Sequence, residues 1–127
     1  MKQTLTAGLD RLGLSLADET LDRLVAFGEA VVEKNRVMNL TAITEPERVA
    51  ELHLLDSLTL LRVLPLAGKS LLDVGTGAGF PGVPLKLAEP TLWLNLTALQ
   101  RRNSSRYLRS LRMQSQNNRK PFWPLME

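Results

Sequence analysis

Cysteine is absent from these 127 residues and histidine occurs once. Without thiols there is neither a disulfide framework nor a thiolate metal site. One imidazole is too little for an all-protein zinc site, so no metal is expected. No apolar run approaches membrane-spanning length, and the early acids Asp10, Asp18 and Glu19 in an amphipathic N-terminus do not suit a signal peptide. A cytoplasmic protein without a membrane partner is the expectation. A Gly-x4-Gly-Lys-Ser/Thr phosphate loop is also missing. The last absence is regional, because no acid stands between Glu89 and Glu127. Residues 1–90 carry nine Lys plus Arg against twelve Asp plus Glu, a balance of −3; residues 91–127 carry seven against one, or +6.

The length allows at most one domain with a modest core, and a complete open α/β sheet covered on both faces would be a tight fit. Residues 3–12 read as a helix with Leu5, Leu9 and Leu12 in one stripe, stopped by Gly13. Ser15-Leu16-Ala17-Asp18 has capping-box form. The helix it starts runs to about Lys34, with Leu21, Leu24, Val25, Val31 and Val32 facing the core and Gly28 as a weak point or close helix contact. The junction Lys34 to Thr41 is polar. It is either a plain helix end and loop, or a loop in which Asn39 and Thr41 brace a site while Lys34 or Arg36 touches phosphate. Thr44-Glu45-Pro46-Glu47 is a stronger start, with Thr44 as N-cap and Pro46 in the first turn of a helix to about Leu64. His53, Asp56 and Ser57 share one face of it at i, i+3 and i+4. Taken alone, that triplet reads as a solvated surface stripe.

The most specific stretch is Leu71-Leu72-Asp73-Val74-Gly75-Thr76-Gly77-Ala78-Gly79-Phe80-Pro81-Gly82. Ser70 to Val74 reads as a short buried strand, and a helix follows from near Pro81 to Glu89. Alternating glycines let the backbone turn with positive φ and let a ligand approach without Cβ interference. A dinucleotide fingerprint counted from Gly75 puts its third glycine at Phe80. Counted from Gly77 it fits through Gly79 and Gly82, but starts two residues late and has no acid about 20 residues on. A nucleotide-binding oxidoreductase is therefore disfavoured. Acid-x-Gly-x-Gly-x-Gly instead resembles the first motif of class I methyltransferases that use S-adenosylmethionine.

With Asn39-Leu40-Thr41 and His53-x-x-Asp56-Ser57 ahead of it, the chain resembles the glucose-inhibited division protein B family, bacterial methyltransferases of 16S ribosomal RNA. The resemblance covers residues 1 to about 95. It implies an α/β chain, the N-terminal part of a class I, Rossmann-like methyltransferase fold preceded by a helical cap. It also implies S-adenosylmethionine as cofactor, methylation of a guanine N7, and 16S RNA or the 30S subunit as partner; the sequence leaves the oligomeric state open, with a monomer as the expectation. The implied cofactor site is Asp73, Gly75, Thr76, Gly77, Gly79 and Phe80, with Gly75 and Phe80 at cofactor-contacting places of the family. Lys34, Asn39, His53, Asp56 and Ser57 are the candidates for the RNA side. No catalytic residue is nominated: guanine N7 has a lone pair and no proton, so positioning supplies the acceleration.

The expected layout is a helical region over residues 1–66, the start of the methyltransferase domain over 67–98, and an atypical basic tail over 99–127. After a plausible strand at Thr91–Leu96 the family pattern would continue with an acid for the ribose, which is missing here. Codons can be written for Leu96-Thr97-Ala98-Leu99 that, read one base earlier, give Asp-Ser-Leu. A frameshifted tail and an apparently truncated chain are thus expected. An RNA-binding arm using Arg101, Arg102, Arg106 and Arg109 is the competing account, with Tyr107 and Trp123 for stacking. A non-catalytic fragment with weak or no cofactor binding is the alternative to an active enzyme.

Overall fold

The computed structural model describes residues 1–97. Expectations for the basic tail, Arg101 to Arg109, Tyr107 and Trp123 among them, lie outside the described residues. Helix α1 spans Lys2–Leu12 and buries Leu5, Gly8 and Leu9, one stripe at helical spacing. It stops where expected. Gly13 takes φ 68; its N–H donates to the Asp10 carbonyl and the Leu14 N–H reaches back to Leu9, so two orphan carbonyls are satisfied by a Schellman turn.

Helix α2 runs Asp18–Met38, starting later and ending one turn beyond the expected span. The capping box does not form. Ala17 occupies the cap without a side-chain bond, and Asp18 and Glu19 face the positive end of the helix instead. Its buried face is Leu21, Leu24, Phe27, Gly28, Val31 and Asn35; Val25 and Val32, expected inside, are half-buried flanks. At Gly28 a Cβ would lie 2.7 Å from Met1 Sδ and 3.1 Å from Leu54 Cδ1, which makes it a close contact.

A composite helix follows over residues 46–62. It opens with the α-turn α3 (Pro46–Val49), widens into a π-helical turn at Ala50–Leu55, returns to α geometry in α4 (Asp56–Leu58) and tightens to 3₁₀ at Thr59–Arg62. Pro46 stands at the first turn as expected, but Thr44 is not the cap. Glu47 does not close a capping box either. Its carboxylate accepts from the α-amino group of Met1 at 2.8 Å and from the Thr4 hydroxyl, and these bonds hold its pKa below the ordinary carboxylate value. Glu47 therefore ties α3 to α1.

Strand β1 (Ser70–Val74), helix α5 (Gly82–Ala88) and strand β2 (Trp93–Thr97) complete the described chain. The strands pair in parallel from Ser70 with Trp93 to Val74 with Thr97, and parallel pairing requires the crossover that α5 supplies. Side chains alternate across this sheet. Asp73 and Leu94 are buried and Leu71 and Leu96 partly so. The opposite face is bare: Leu72, Val74 and Trp93 are 62%, 63% and 65% exposed. Among the described residues the expected buried strand is thus covered on one face only.

The main core joins both regions, with Leu5, Leu9, Leu21, Leu24, Phe27, Val31, Leu54 and Leu58 packing against Ala78 and Val83. A smaller cluster of Leu66, Leu85 and Leu92 closes the far end of α5. Among the described residues no helix is long and apolar enough to cross a membrane, and no group of acids and histidine could hold a metal.

Candidate functional site

Asp73 ends the apolar run of β1 with its carboxylate buried at 8% exposure. Its Oδ2 accepts the Gly82 N–H at 3.0 Å. Gly82 is the first residue of α5, so the strand-end acid caps the helix across the loop between them. The approach requires glycine. A Cβ at position 82 would sit 2.7 Å from Leu96 Cδ2, 2.9 Å from Leu94 Cδ1 and 3.0 Å from Asp73 Oδ2.

Between acid and cap, Gly75, Gly77 and Gly79 take φ values of 74°, 57° and 107°, which residues with a Cβ rarely adopt. The first two loop N–H groups, of Gly75 and Thr76, donate to the Thr97 carbonyl at 2.9 and 3.3 Å. The Thr76 carbonyl accepts from Gly79 and Phe80 at 3.0 and 3.1 Å. Two features of this loop fit a ligand. Among the described residues a Cβ at Gly77 would meet nothing within 4 Å, and the buried Thr76 hydroxyl lacks a hydrogen-bond partner. An orphaned buried hydroxyl is costly unless something answers it.

Phe80 carries the loop into the helical region. Its ring lies 5.3 Å from that of Phe27 and stacks on His53 at 4.6 Å with planes 16° apart. His53 Nε2 and Thr41 Oγ1 are 2.8 Å apart, and the same hydroxyl accepts the Ile43 N–H at 3.1 Å. The Thr41 N–H donates in turn to Oδ1 of the buried Asn35 at 2.8 Å. A line of contacts thus joins the end of α2 to the glycine loop. Burial pushes the His53 imidazole below its ordinary pKa, against a smaller opposing pull from the Asp56 carboxylate.

Of the remaining RNA-side candidates, Asp56 and Ser57 stay beside His53, whereas Asn39 and Lys34 lie apart on α2 and its end. Ser57 is buried and donates to the His53 carbonyl at 2.5 Å. Its place in a solvated stripe is corrected: hydroxyls on helices commonly return to a carbonyl one turn back. Asp56 is exposed. Asn39 is an exposed, left-handed end to α2 (φ 48) and does not brace the site; Asn35, one turn earlier, does so with Thr41. Lys34 is half-buried on α2, and Arg36 pairs with Glu33 at 3.2 Å. Sequence reasoning passed over Asn35 because an amide near a helix end reads as a turn former. Its burial at 7% is a tertiary fact.

His53, Asp56 and Ser57 line a cavity of about 390 Å³ together with Leu52, Thr59, Leu60, Phe80 and Pro81. Asp73, Gly75, Thr76, Gly77 and Gly79 do not line it. The cavity and the loop therefore adjoin at Phe80-Pro81 without coinciding.

Comparison with known proteins places the chain in a family. Residues 20–120 match the model of the GidB family, described as rRNA small subunit methyltransferase G. The chain is 41% identical over 97 residues to the ribosomal RNA small subunit methyltransferase G of Pelotomaculum thermopropionicum, covering 76% of this chain and 41% of that protein. The protein of that name from Methylobacillus flagellatus is 43% identical over 105 residues, 82% of this chain and 50% of the other. The one from an Anaeromyxobacter species is 51% identical over 88 residues, 69% and 40%. The chain spans about two-fifths to half the length of these curated relatives.

Proposed function

Because the chain belongs to the GidB family of small-subunit ribosomal RNA methyltransferases, we propose that it carries the cofactor-loop half of an S-adenosylmethionine-dependent enzyme whose acceptor is a guanine N7 of 16S RNA. The family is one of class I methyltransferases, and residues 1–97 form the N-terminal part of that α/β fold: a helical cap, then β1, the loop, α5 and β2. The observation that carries the reading is the loop itself. Asp73 caps α5 while three left-handed glycines hold Gly77 open and leave the Thr76 hydroxyl unanswered.

In this reading Asp73 shapes the loop, the backbone of Gly75, Gly77 and Gly79 lies under the cofactor, and Thr76 hydrogen-bonds it. Phe80 separates the cofactor from the cavity on its other side. S-adenosylmethionine when bound supplies an electrophilic methyl that a lone pair can take without loss of a proton. The chain's task is accordingly orientation rather than proton transfer, and the engaged Nε2 of His53 suits bracing better than general-base catalysis.

Calorimetric titration of the chain with S-adenosylmethionine, followed by methyl transfer to under-methylated 30S particles, tests the proposal. Micromolar binding with label at a guanine N7 is the expected result. The bare sheet face favours a second reading, in which this stretch supplies fold but too little of the site. Absence of binding heat would select that reading and overturn the first.

A further inference from the structure

The cavity beside Phe80 is lined by side chains whose hydrogen-bonding groups are mostly committed. The Ser57 hydroxyl donates to the His53 carbonyl and the Thr59 hydroxyl to the Asp56 carbonyl, both at 2.5 Å. His53 Nε2 is held against Thr41 Oγ1. Leu52, Leu60, Phe80 and Pro81 are apolar. The Ser57 and Thr59 oxygens can still accept and His53 Nδ1 has no partner among the described residues, but the Asp56 carboxylate is the one charged group left uncommitted. Among the described residues it has no hydrogen bond and no ion pair, and it offers two oxygens side by side.

Resting on the methyltransferase reading, we infer that this cavity takes the unstacked acceptor base and that Asp56 reads it, making Asp56 a specificity-determining residue. A carboxylate is acceptor-only and matches two parallel N–H donors. Among the four RNA bases, guanine alone presents adjacent donors on its pairing edge, the ring N1–H and the exocyclic N2 amine. Adenine and cytosine set an acceptor beside their amine, and uracil flanks its one N–H with carbonyls. An extruded base read on its pairing edge is a recurring device of enzymes that modify nucleobases. The volume of about 390 Å³ is in the range of small-molecule sites and has room for one purine. The geometry of guanine adds a consequence: N7 lies on the edge away from N1 and N2. Fixing the pairing edge on Asp56 leaves N7 to face the other wall, where Phe80 and Pro81 join the cofactor loop.

The test uses the full 127-residue chain with GMP, IMP and AMP as probes, followed by NMR shifts of the His53 and Phe80 rings. GMP is expected to move both rings. IMP, which lacks only the exocyclic amine, binds about tenfold more weakly, the order expected for one lost partner of a bidentate pair, and AMP binds more weakly still. In Asp56→Asn the preference for GMP over IMP falls to near unity, while the thermal midpoint stays that of the parent because Asp56 is exposed. Equal responses to GMP and IMP, or a preference that survives Asp56→Asn, would overturn the inference. It is separable from the cofactor reading. Guanine discrimination without S-adenosylmethionine binding keeps the base site and removes the cofactor; cofactor binding without discrimination does the reverse.

Discussion

The long helices and the sheet bury their apolar faces to different degrees. In α1, α2 and the composite helix the inward stripes meet one another, and Leu5, Leu24, Val31, Leu54 and Leu58 are fully enclosed. In β1–α5–β2 the side toward α5 is closed by Leu85, Leu92 and Leu94, whereas Leu72, Val74 and Trp93 stand in solvent. A parallel sheet is ordinarily covered on both faces, and the relatives are at least twice as long as the stretch that matches them. Among the described residues the helical region encloses its inward stripe and leaves only scattered apolar residues such as Val37 and Leu52 outside, whereas the sheet leaves the apolar residues of one whole face exposed together.

The largest test of this contrast is at the joint. Phe27 is 1% exposed and touches both Phe80 and the Gly79 neighbourhood. Phe27→Ala is expected to cost about 3–5 kcal/mol, read as a lower urea midpoint, with the glycine-loop amides losing protection along with those of α2. Loss confined to α2 would show that the two regions stand independently.

A smaller effect concerns His53, whose folded pKa lies below its ordinary 6.5. Between those two values the unfolded chain binds more protons than the folded one, so this stability is complete above the ordinary value and is lost on acidification through the window. Urea unfolding at about pH 7.5 and about pH 5.5 should give a weaker fold at the lower value, and His53→Gln should flatten the slope. The assignment is clean because the chain has one histidine. Glu47 and Glu89, lowered by hydrogen bonds, act only below their ordinary 4.5.

The smallest effect is predicted on the bare face. Trp93→Thr should change stability by no more than about 0.5 kcal/mol, measured by the same urea unfolding. A markedly larger loss would mean that something covers that face in solution and would break the comparison.

Legibility in the sequence follows the same division. The helices could be read because their stripes repeat locally, and Gly13 and Pro46 punctuate them as their backbone preferences require. The Asp73–glycine loop could be read because strand end, acid and glycines are contiguous. Three features were illegible. Ser15 and Thr44 have capping chemistry, yet Glu47 is drawn to Met1 and Thr4, partners more than forty residues away. The π-turn that carries His53 leaves no mark on an otherwise ordinary leucine spacing. The link from Asn35 through Thr41 and His53 to Phe80 spans three separate segments, and no single-chain periodicity encodes it.

The double hold of Thr97 on Gly75 and Thr76 sets an order in time. The helices that supply most of the core are complete once Arg62 has been made, and Ala78 and Val83 close that core about twenty residues later. Among the described residues the loop's first two amides meet a partner only when the end of β2 exists. At ordinary elongation rates roughly 35 further residues take about 2–7 s. A nascent chain would therefore hold its helices for seconds before the glycine loop could take shape, and the non-local closure of that loop, rather than helix formation, would set when the protein first became competent to meet a ligand.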